Sequence, residues 1–506
     1  EPTNYFDIGL LGIHEDNKPA DSGLTNPDRG DYIRFTERPD LFQSNFTSYN
    51  LTGNYEMDWA TLTSSSTYSK IDGKFIVDLA GTFNQAIPFA LDAVGYDENF
   101  VQEARLASAD GGDWDWIIGG FHFNKRRDID YDYRSSTEFL QARNLAGLPN
   151  EYYQSFAGYF DAIESAAFGE LTYRFSDQFW MTGGLRYTET SVQSFTLPGG
   201  YNSNYLGVAL GGFTDLELTV FPVVAAEGLK VKADNVSYKA SASWKPMENL
   251  TTYASVATGF RSPVANARAG AVSVVNPNDL VIPDGANSDE LINYEVGMKG
   301  TFLNGKLTSN LAAYYIIWSD IQVQANRLSD QVQFATNIGE AVSQGLEFEA
   351  GYYPGNGFSL FVNGSLNDTE ITELTPEEAA ISGAELGLQL AMPNFQGAAT
   401  ARYDYNVGEM DAFFSGTAAY VGDFPALLPN VPGQPNVPAP TFDYTDAYTV
   451  VNLQAGLSKD NWQLTGYVEN LFDDNSITYV HPESFVDARY ARQRPQTVGV
   501  RVSVEY

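Results

Sequence analysis

Residues 498–506 read Val498-Gly499-Val500-Arg501-Val502-Ser503-Val504-Glu505-Tyr506. Side chains on a strand point alternately to opposite faces, so the valines and Tyr506 line one face while Gly499, Arg501, Ser503 and Glu505 line the other. An unbroken apolar stripe opposite a face with a charge every few residues fits lipid on one side and water on the other. Upstream, Tyr294, Val296, Met298 and Phe302 stand against Asn293, Glu295, Lys299 and Thr301. Beyond Asn304-Gly305, which suits a two-residue type I′ turn, the stripe resumes with Leu307, Leu311, Ala313, Tyr315 and Ile317. Similar hairpins turn at Ser176-Asp177, Pro246–Asn249, Pro354–Gly357 and Ser458–Asn461.

The same period predicts eighteen strands, at 3–14, 43–57, 59–72, 98–109, 113–134, 159–175, 178–195, 231–246, 249–262, 289–303, 305–323, 340–354, 357–369, 395–406, 410–423, 446–458, 461–473 and 494–506. Their connectors alternate between tight turns and long polar stretches such as 15–42, 196–230, 263–288 and 424–445. Short turns at one end and long loops at the other are the habit of outer-membrane barrels, whereas a soluble sandwich has no reason to sort its loops this way. The expected fold is all-β: a transmembrane, antiparallel, up-and-down β-barrel occupying residues 1–506.

Composition excludes several other classes. The 506 residues hold no cysteine, three histidines (His14, His122, His481) and a formal charge of −35. Disulfides, thiolate metal sites and cysteine nucleophiles are therefore absent, and a histidine-built metal site or catalytic triad has little material. With 64 Asp+Glu against 29 Lys+Arg, the chain is poorly suited to neutralise nucleic-acid phosphates. The longest apolar run, about Leu311–Trp318, falls well short of the roughly 18 residues a spanning helix needs. Glu1 is not followed by the basic and apolar regions of a secretory leader.

Five segments carry a resemblance. Tyr253–Pro263 (YASVATGFRSP) is similar to the "YASVSRGFRAP" strand of TonB-dependent receptors, and Glu290 with Tyr294–Gly300 (YEVGMKG) resembles their "E…YEVGxKG" strand. Asn337–Ala341 running into Gly345–Glu349 resembles "NxGxAxxxGxExE". Val468–Asp473 resembles "xxNLFD", and Arg494–Gly499 resembles the closing "RPRTxG" strand. They occur in the family's order; the resemblance covers residues 98–506 well and 1–97 more loosely. It implies an outer-membrane receptor of a Gram-negative bacterium, with a barrel of about 22 strands plugged by an N-terminal domain. Such a receptor binds a scarce ligand (a ferric siderophore, cobalamin, a glycan or another chelate) and imports it when TonB, driven by the inner-membrane energising complex, pulls on the plug. No stretch here resembles the plug or the TonB box, so these strands would be the last eighteen, with 3–14 as the fifth.

The candidate functional residues are binding surfaces, and no enzymatic activity is expected. Arg126, Asp128, Asp130, Asp132 and Arg134 share one face of strand 113–134, opposite Ile117, Phe121, Phe123, Ile129, Tyr131 and Tyr133. They are expected to point into the lumen, either contacting ligand or pairing within a solvated wall. Lys125 and Arg127 then fall on the lipid side, where they pair with lipopolysaccharide phosphates or snorkel to water. Glu295, Lys299, Glu347, Glu349, Arg186 and Arg402 face the lumen, suited to packing against a plug. Loop aromatics Tyr152, Tyr153, Phe156, Tyr201, Tyr205, Phe424 and Tyr444 suit stacking on a ligand or packing within the loops. Thr375-Pro376-Glu377-Glu378 opens a short capped helix, and the acidic loops offer carboxylates for Ca²⁺ without a spaced motif. No resident cofactor is expected. Two other functions remain open: a self-contained eighteen-stranded passive porin, which requires strand 3–14 to pair with strand 494–506, and a structural barrel anchoring a surface assembly.

Overall fold

The computed structural model describes residues 5–18, 30, 32–33, 39–78, 89–109, 111–135, 152–199, 230–273, 275–330, 332–426, 428–439, 442–480 and 490–505. The strands are β1 (Tyr5–Asn17), β2 (Leu41–Glu56), β3 (Ala60–Asp78), β4 (Phe89–Ser108), β5 (Trp114–Ser135), β6 (Tyr152–Ser176), β7 (Phe179–Gly199), β8 (Lys230–Met247) and β9 (Leu250–Arg261). They continue with β10 (Val264–Ala265), β11 (Gly285–Ala286), β12 (Asp289–Phe302), β13 (Leu307–Asn326), β14 (Gln333–Tyr352), β15 (Phe358–Glu373), β16 (Phe395–Val407) and β17 (Met410–Val421). The last are β18 (Tyr448–Lys459), β19 (Trp462–Glu469), β20 (Ile477–Val480), β21 (Tyr490–Arg492) and β22 (Thr497–Val504). One helix, α1 (Pro376–Ser382), lies between β15 and β16.

Eighteen strands form one sheet. From β1 to β9, then β12 to β19 and β22, each pairs antiparallel with the next. Short strands β10–β11 and β20–β21 pair within two of the long connections. The described residues of β1 pair with β2 and those of β22 with β19, so the pairing that a self-contained porin requires is not present among them.

Because antiparallel partners share a face, the register carries one apolar stripe round the sheet. It runs through Leu10, Leu51, Leu62, Ile118, Leu185 and Tyr238, and on to Val296, Leu346 and Val500. These side chains are exposed, Leu10 at 78% and Val500 at 72%, as an outward barrel face must be in the absence of lipid. The opposite face is concave and polar, and strand β10 packs there against β7 and β8, over Val192, Thr188 and Asn235.

Several strands extend further than alternation predicts. β4 begins at Phe89 instead of 98, β6 at Tyr152 instead of 159 and β14 at Gln333 instead of 340. A tilted strand crosses the hydrocarbon in roughly 9–11 residues, and beyond it neither face must be apolar. At the other end, β19 stops at Glu469, before the left-handed Asn470 and Asp473, and β22 starts at Thr497, after Pro495. The turn at 303–306 is also wider than expected. Phe302 pairs with Leu307, and Leu303, Asn304 and Gly305 all have positive φ.

Helix α1 has the expected capping box. The Thr375 hydroxyl accepts from the Glu378 amide at 3.2 Å, and the Glu378 carboxylate accepts from the Thr375 amide at 2.8 Å. It ends earlier than residue 390, at left-handed Gly383, where a Cβ would lie 2.2 Å from the Asn430 carbonyl oxygen. Around it the loops form small cores: Ile321, Ile338, Ala341, Ile371 and Ala384 in one, and Ile282, Ala325, Val332 and Phe334 in another.

Candidate functional site

Strand β5 carries two apolar half-stripes of opposite parity, and only its partners show which one faces lipid. Trp114, Trp116 and Ile118 pair with Tyr173, Leu171 and Gly169, which in turn pair with Met181, Gly183 and Leu185. The even-numbered residues are therefore outward, and the register stays continuous to Tyr133. This corrects the expected facing. Arg126, Asp128, Asp130 and Asp132 lie on the outer face, whereas Lys125 and Arg127 lie on the inner wall. The expectation took its parity from Ile117, Phe121, Phe123, Ile129, Tyr131 and Tyr133; Ile117, Phe121 and Phe123 are inward between the outward Trp116, Ile118, His122 and Asn124, and the rest fall in the distal half of the 22-residue strand, where the outer face meets water.

The outward ladder is partly self-paired, since Arg126 donates to both oxygens of Asp128 at 3.1 and 3.2 Å. Arg134 and Tyr152 pair through their backbones at a register shift; their side chains, and those of Tyr153 and Phe156, lie outside the described residues, as do Tyr201 and Tyr205 entirely. Phe424 and Tyr444 flank the base of a loop closed by a Pro425–Tyr444 bridge, with the Tyr444 ring edge-on to Phe442 at 5.8 Å. Among the described residues, no three His, Cys, Asp or Glu gather into a metal-binding group.

The inner wall near the long-loop end brings together residues that the sequence kept apart. Asp97 on β4 lies 3.7 Å from the Lys125 ammonium and 3.8 Å from Arg127 Nε. Its side chain is 18% exposed, and its buried Oδ1 accepts no hydrogen bond. Two cations thus gather around one carboxylate by Coulomb attraction alone, which leaves a net positive charge and donors free for an anion. On the same face the Phe42 and Phe75 rings stack at 6.3 Å, with Tyr131 6.0 Å beyond Phe75. Further down, Arg186 donates to Glu164 at 2.9 Å and lies over the Phe121 ring at 5.1 Å. Asp97 gave no sequence signal because its partners arrive only through the β4–β5 pairing.

Glu295, Lys299, Glu347, Glu349, Arg186 and Arg402 occupy the expected inner face. There Glu295 accepts from the Tyr253 hydroxyl at 2.5 Å, and Arg402 is held by Asp404.

A second arrangement fixes the loops above this wall. The Asp289 carboxylate, 2% exposed, accepts from Arg261 Nε at 2.7 Å, Trp318 Nε1 at 3.0 Å and the Gln322 amide at 3.3 Å. Gln322 and Asn337 both donate to the Asn287 carbonyl, tying the ends of β9, β12, β13 and β14 into one knot. Next to it, buried Arg327 binds Asp330 and donates to the carbonyls of Ala271 and Leu280 at 2.7 and 3.0 Å. The Ser329 hydroxyl is the main group holding the Asp279 carboxyl below its ordinary value, with help from the Leu280 and Ser329 amides and the Arg327 charge against desolvation. A depressed carboxyl stabilises the folded loop above its unfolded pKa, and that contribution fades as pH falls through the lower folded value. Limited proteolysis should therefore cut loop 262–288 faster below about pH 4 than at pH 7. Equal rates would remove Asp279 as an anchor.

Residues 2–471 match the family model for the TonB dependent receptor-like β-barrel. The chain is 25% identical over 275 residues to the pesticin receptor of Yersinia pestis, covering 54% of this chain and 34% of that protein. The aligned region is thus about a third of the curated relatives' length. Its fold is similar to that of the ferric yersiniabactin uptake receptor FyuA from Yersinia pestis, with a TM-score of 0.74 and 18% identity over 99% of this chain and 68% of that one. The siderophore receptor PiuA from Acinetobacter baumannii gives 0.68 and 14% over 99% and 72%. At such identities the structural likeness concerns the fold alone, but the family match spans most of the chain: this protein belongs to the TonB-dependent receptor β-barrel family, whose members reside in the Gram-negative outer membrane.

Proposed function

We propose that this chain forms the ligand-receiving barrel wall of a receptor that imports an anionic ferric chelate with TonB-coupled energy. The single observation that carries the reading is the inner-wall trio of Asp97, Lys125 and Arg127 beside the Phe42–Phe75–Tyr131 rings. Ferric siderophores commonly combine negative charge with flat rings, and this wall offers cations and ring faces to match. The names of the relatives, a pesticin receptor and siderophore receptors, support the same cargo class. The edges of β1 and β22, unpaired among the described residues, support completion of the barrel by further strands, with a plug upstream of them through which TonB and the inner-membrane complex act.

The test uses the full-length receptor with its natural upstream sequence. Charge reversal by Lys125→Glu with Arg127→Glu is expected to weaken binding of an anionic ferric chelate at least about tenfold, since each charge-assisted hydrogen bond contributes roughly 1.5–3 kcal/mol. Asp130→Asn, on the outer face, should leave binding unchanged. Uptake of radiolabelled iron should also stop in cells lacking TonB. Unaltered affinity in the double variant would remove the trio from the site, and uptake persisting without TonB would remove the coupling.

A further inference from the structure

Below the Phe42 and Phe75 rings, the inner face of β2 and β3 changes character. From Phe42 to Asn54 on β2 and from Thr61 to Val77 on β3, no inward side chain is charged. Three cross-strand pairs in the lower half, Asn50–Thr67, Thr52–Ser65 and Asn54–Thr63, carry only hydroxyls and amides. Asn50 Nδ2 donates to Thr67 Oγ1 at 2.7 Å and to Ser65 Oγ at 3.0 Å. Thr52 Oγ1 donates to Asn50 Oδ1 at 2.9 Å, and Thr63 Oγ1 donates to Asn54 Oδ1 at 2.9 Å. This network holds the six side chains along the wall, all of them half-buried. Hydroxyl groups both donate and accept, and their hydrogens rotate, so bonds to a neighbour can be exchanged for bonds to a passing ligand.

The walls to either side are charged. On β4 the inward Glu103 is held by Arg105 at 3.3 Å, and on β1 Asp7 and Glu15 face inward. From β6 to β8, Glu164 binds Arg186 at 2.9 Å and Glu170 lies 3.4 Å from Lys239. On β12 and β14 stand Glu295, Glu347 and Glu349. A carboxylate repels an anionic chelate, and a cation detains it through charge-assisted bonds. Passage instead needs contacts weak enough to release the ligand at every step.

We propose that the imported chelate leaves the Lys125–Arg127 wall along this uncharged strip of β2 and β3, passing from the Phe42–Phe75 rings toward the turns. The upper end of the strip adjoins the first contact, since Asp97 pairs across the sheet with Ile71 on β3. Asn50, Thr52, Ser65 and Thr67 then act as positioning residues for passage and contribute nothing to the initial affinity. This route rests on the import of an anionic ferric chelate proposed above.

The test measures affinity and maximal uptake rate separately in cells carrying the full-length receptor, with rates normalised to the receptor present in the outer membrane. The probe is the anion-exchange-retained chelator fraction secreted by the iron-starved source bacterium, loaded with radiolabelled iron. Thr67→Glu is expected to lower the maximal rate at least about fivefold while affinity stays within about twofold, because like charge raises the barrier to passage and leaves the binding step alone. Thr67→Gln, of similar size without the charge, should keep a near-normal rate, which a packing role for Thr67 would not allow. Thr417→Glu, inward on the distant strand β17, should match the unaltered receptor. If Thr67→Glu fails to fold, as judged by heat-modifiable mobility, Ser48→Glu replaces it, with Ser48→Gln as its neutral counterpart; Ser48 is the next inward residue toward the rings. An unchanged rate in the glutamate variant that folds would overturn the route. So would an equal loss in its glutamine counterpart or in Thr417→Glu. Each of those results leaves TonB-dependent uptake by the unaltered receptor intact, whereas failure of the import reading shows as the absence of any such uptake.

Discussion

Replacing Asp289 by alanine is expected to destabilise the loop end of the barrel by about 2–4 kcal/mol, at roughly 1–3 kcal/mol for each buried donor left without its acceptor, while Arg261, whose side chain is half exposed, adds little. The substitution leaves the Arg261 guanidinium without its carboxylate, and the Trp318 indole N–H and the Gln322 amide without their acceptor. The Gln322 side chain would still reach Ser262 and Asn287, so the break should propagate through the knot instead of detaching one loop. Asp289→Asn keeps an acceptor for Gln322 but loses the charge, so an intermediate effect is expected. Thermal melting in detergent, combined with proteolysis of loops 262–288 and 327–332, gives the measurement. If Asp289→Ala melts and cleaves like wild type, the knot does not hold the loops.

The second large effect tests the facing of the whole sheet. Leu171 is outward and 44% exposed; it stands four residues from Phe175 near the turn end and four from Ala167, the partner of Tyr187, and so near the middle of the lipid-facing band. Leu171→Arg should cost about 2–4 kcal/mol, the penalty for a basic side chain at the midplane of a barrel's lipid face. On the neighbouring strand, Thr182 points inward and shares a 2.7 Å hydrogen bond with Thr172, so Thr182→Arg places its charge in the aqueous lumen and should cost far less. Unfolding from lipid vesicles across a denaturant series separates the two. A Thr182→Arg loss equal to or larger than that of Leu171→Arg would invert the assigned faces.

The difference between Lys125 and Arg126 shows where reading by alternation stops. Near the turns, Val498 to Val504, Tyr294 to Met298 and Leu346 to Phe348 are legible because one face must satisfy hydrocarbon and the next residue must satisfy water. In the distal half of β5 that requirement lapses, and the apolar Ile129 and Tyr131 stand on the inner side. The inward Glu295, Glu347 and Arg402 were legible because each lies within a stripe still bounded by lipid. Asp289 was not, because Arg261, Trp318 and Gln322 stand on other strands or beyond a bend at left-handed Asp320.

The sequence alone determined the eighteen strands, their antiparallel order, the capped helix and the family resemblance, all of which follow from short-range periodicity or contiguous motifs. Tertiary structure decided which side of β5 is inside, which strands stand at the edges of the sheet among the described residues, and how Asp97, Lys125 and Arg127 meet. Those outcomes depend on pairing between strands, and a strand's own sequence fixes its parity only where lipid touches one face.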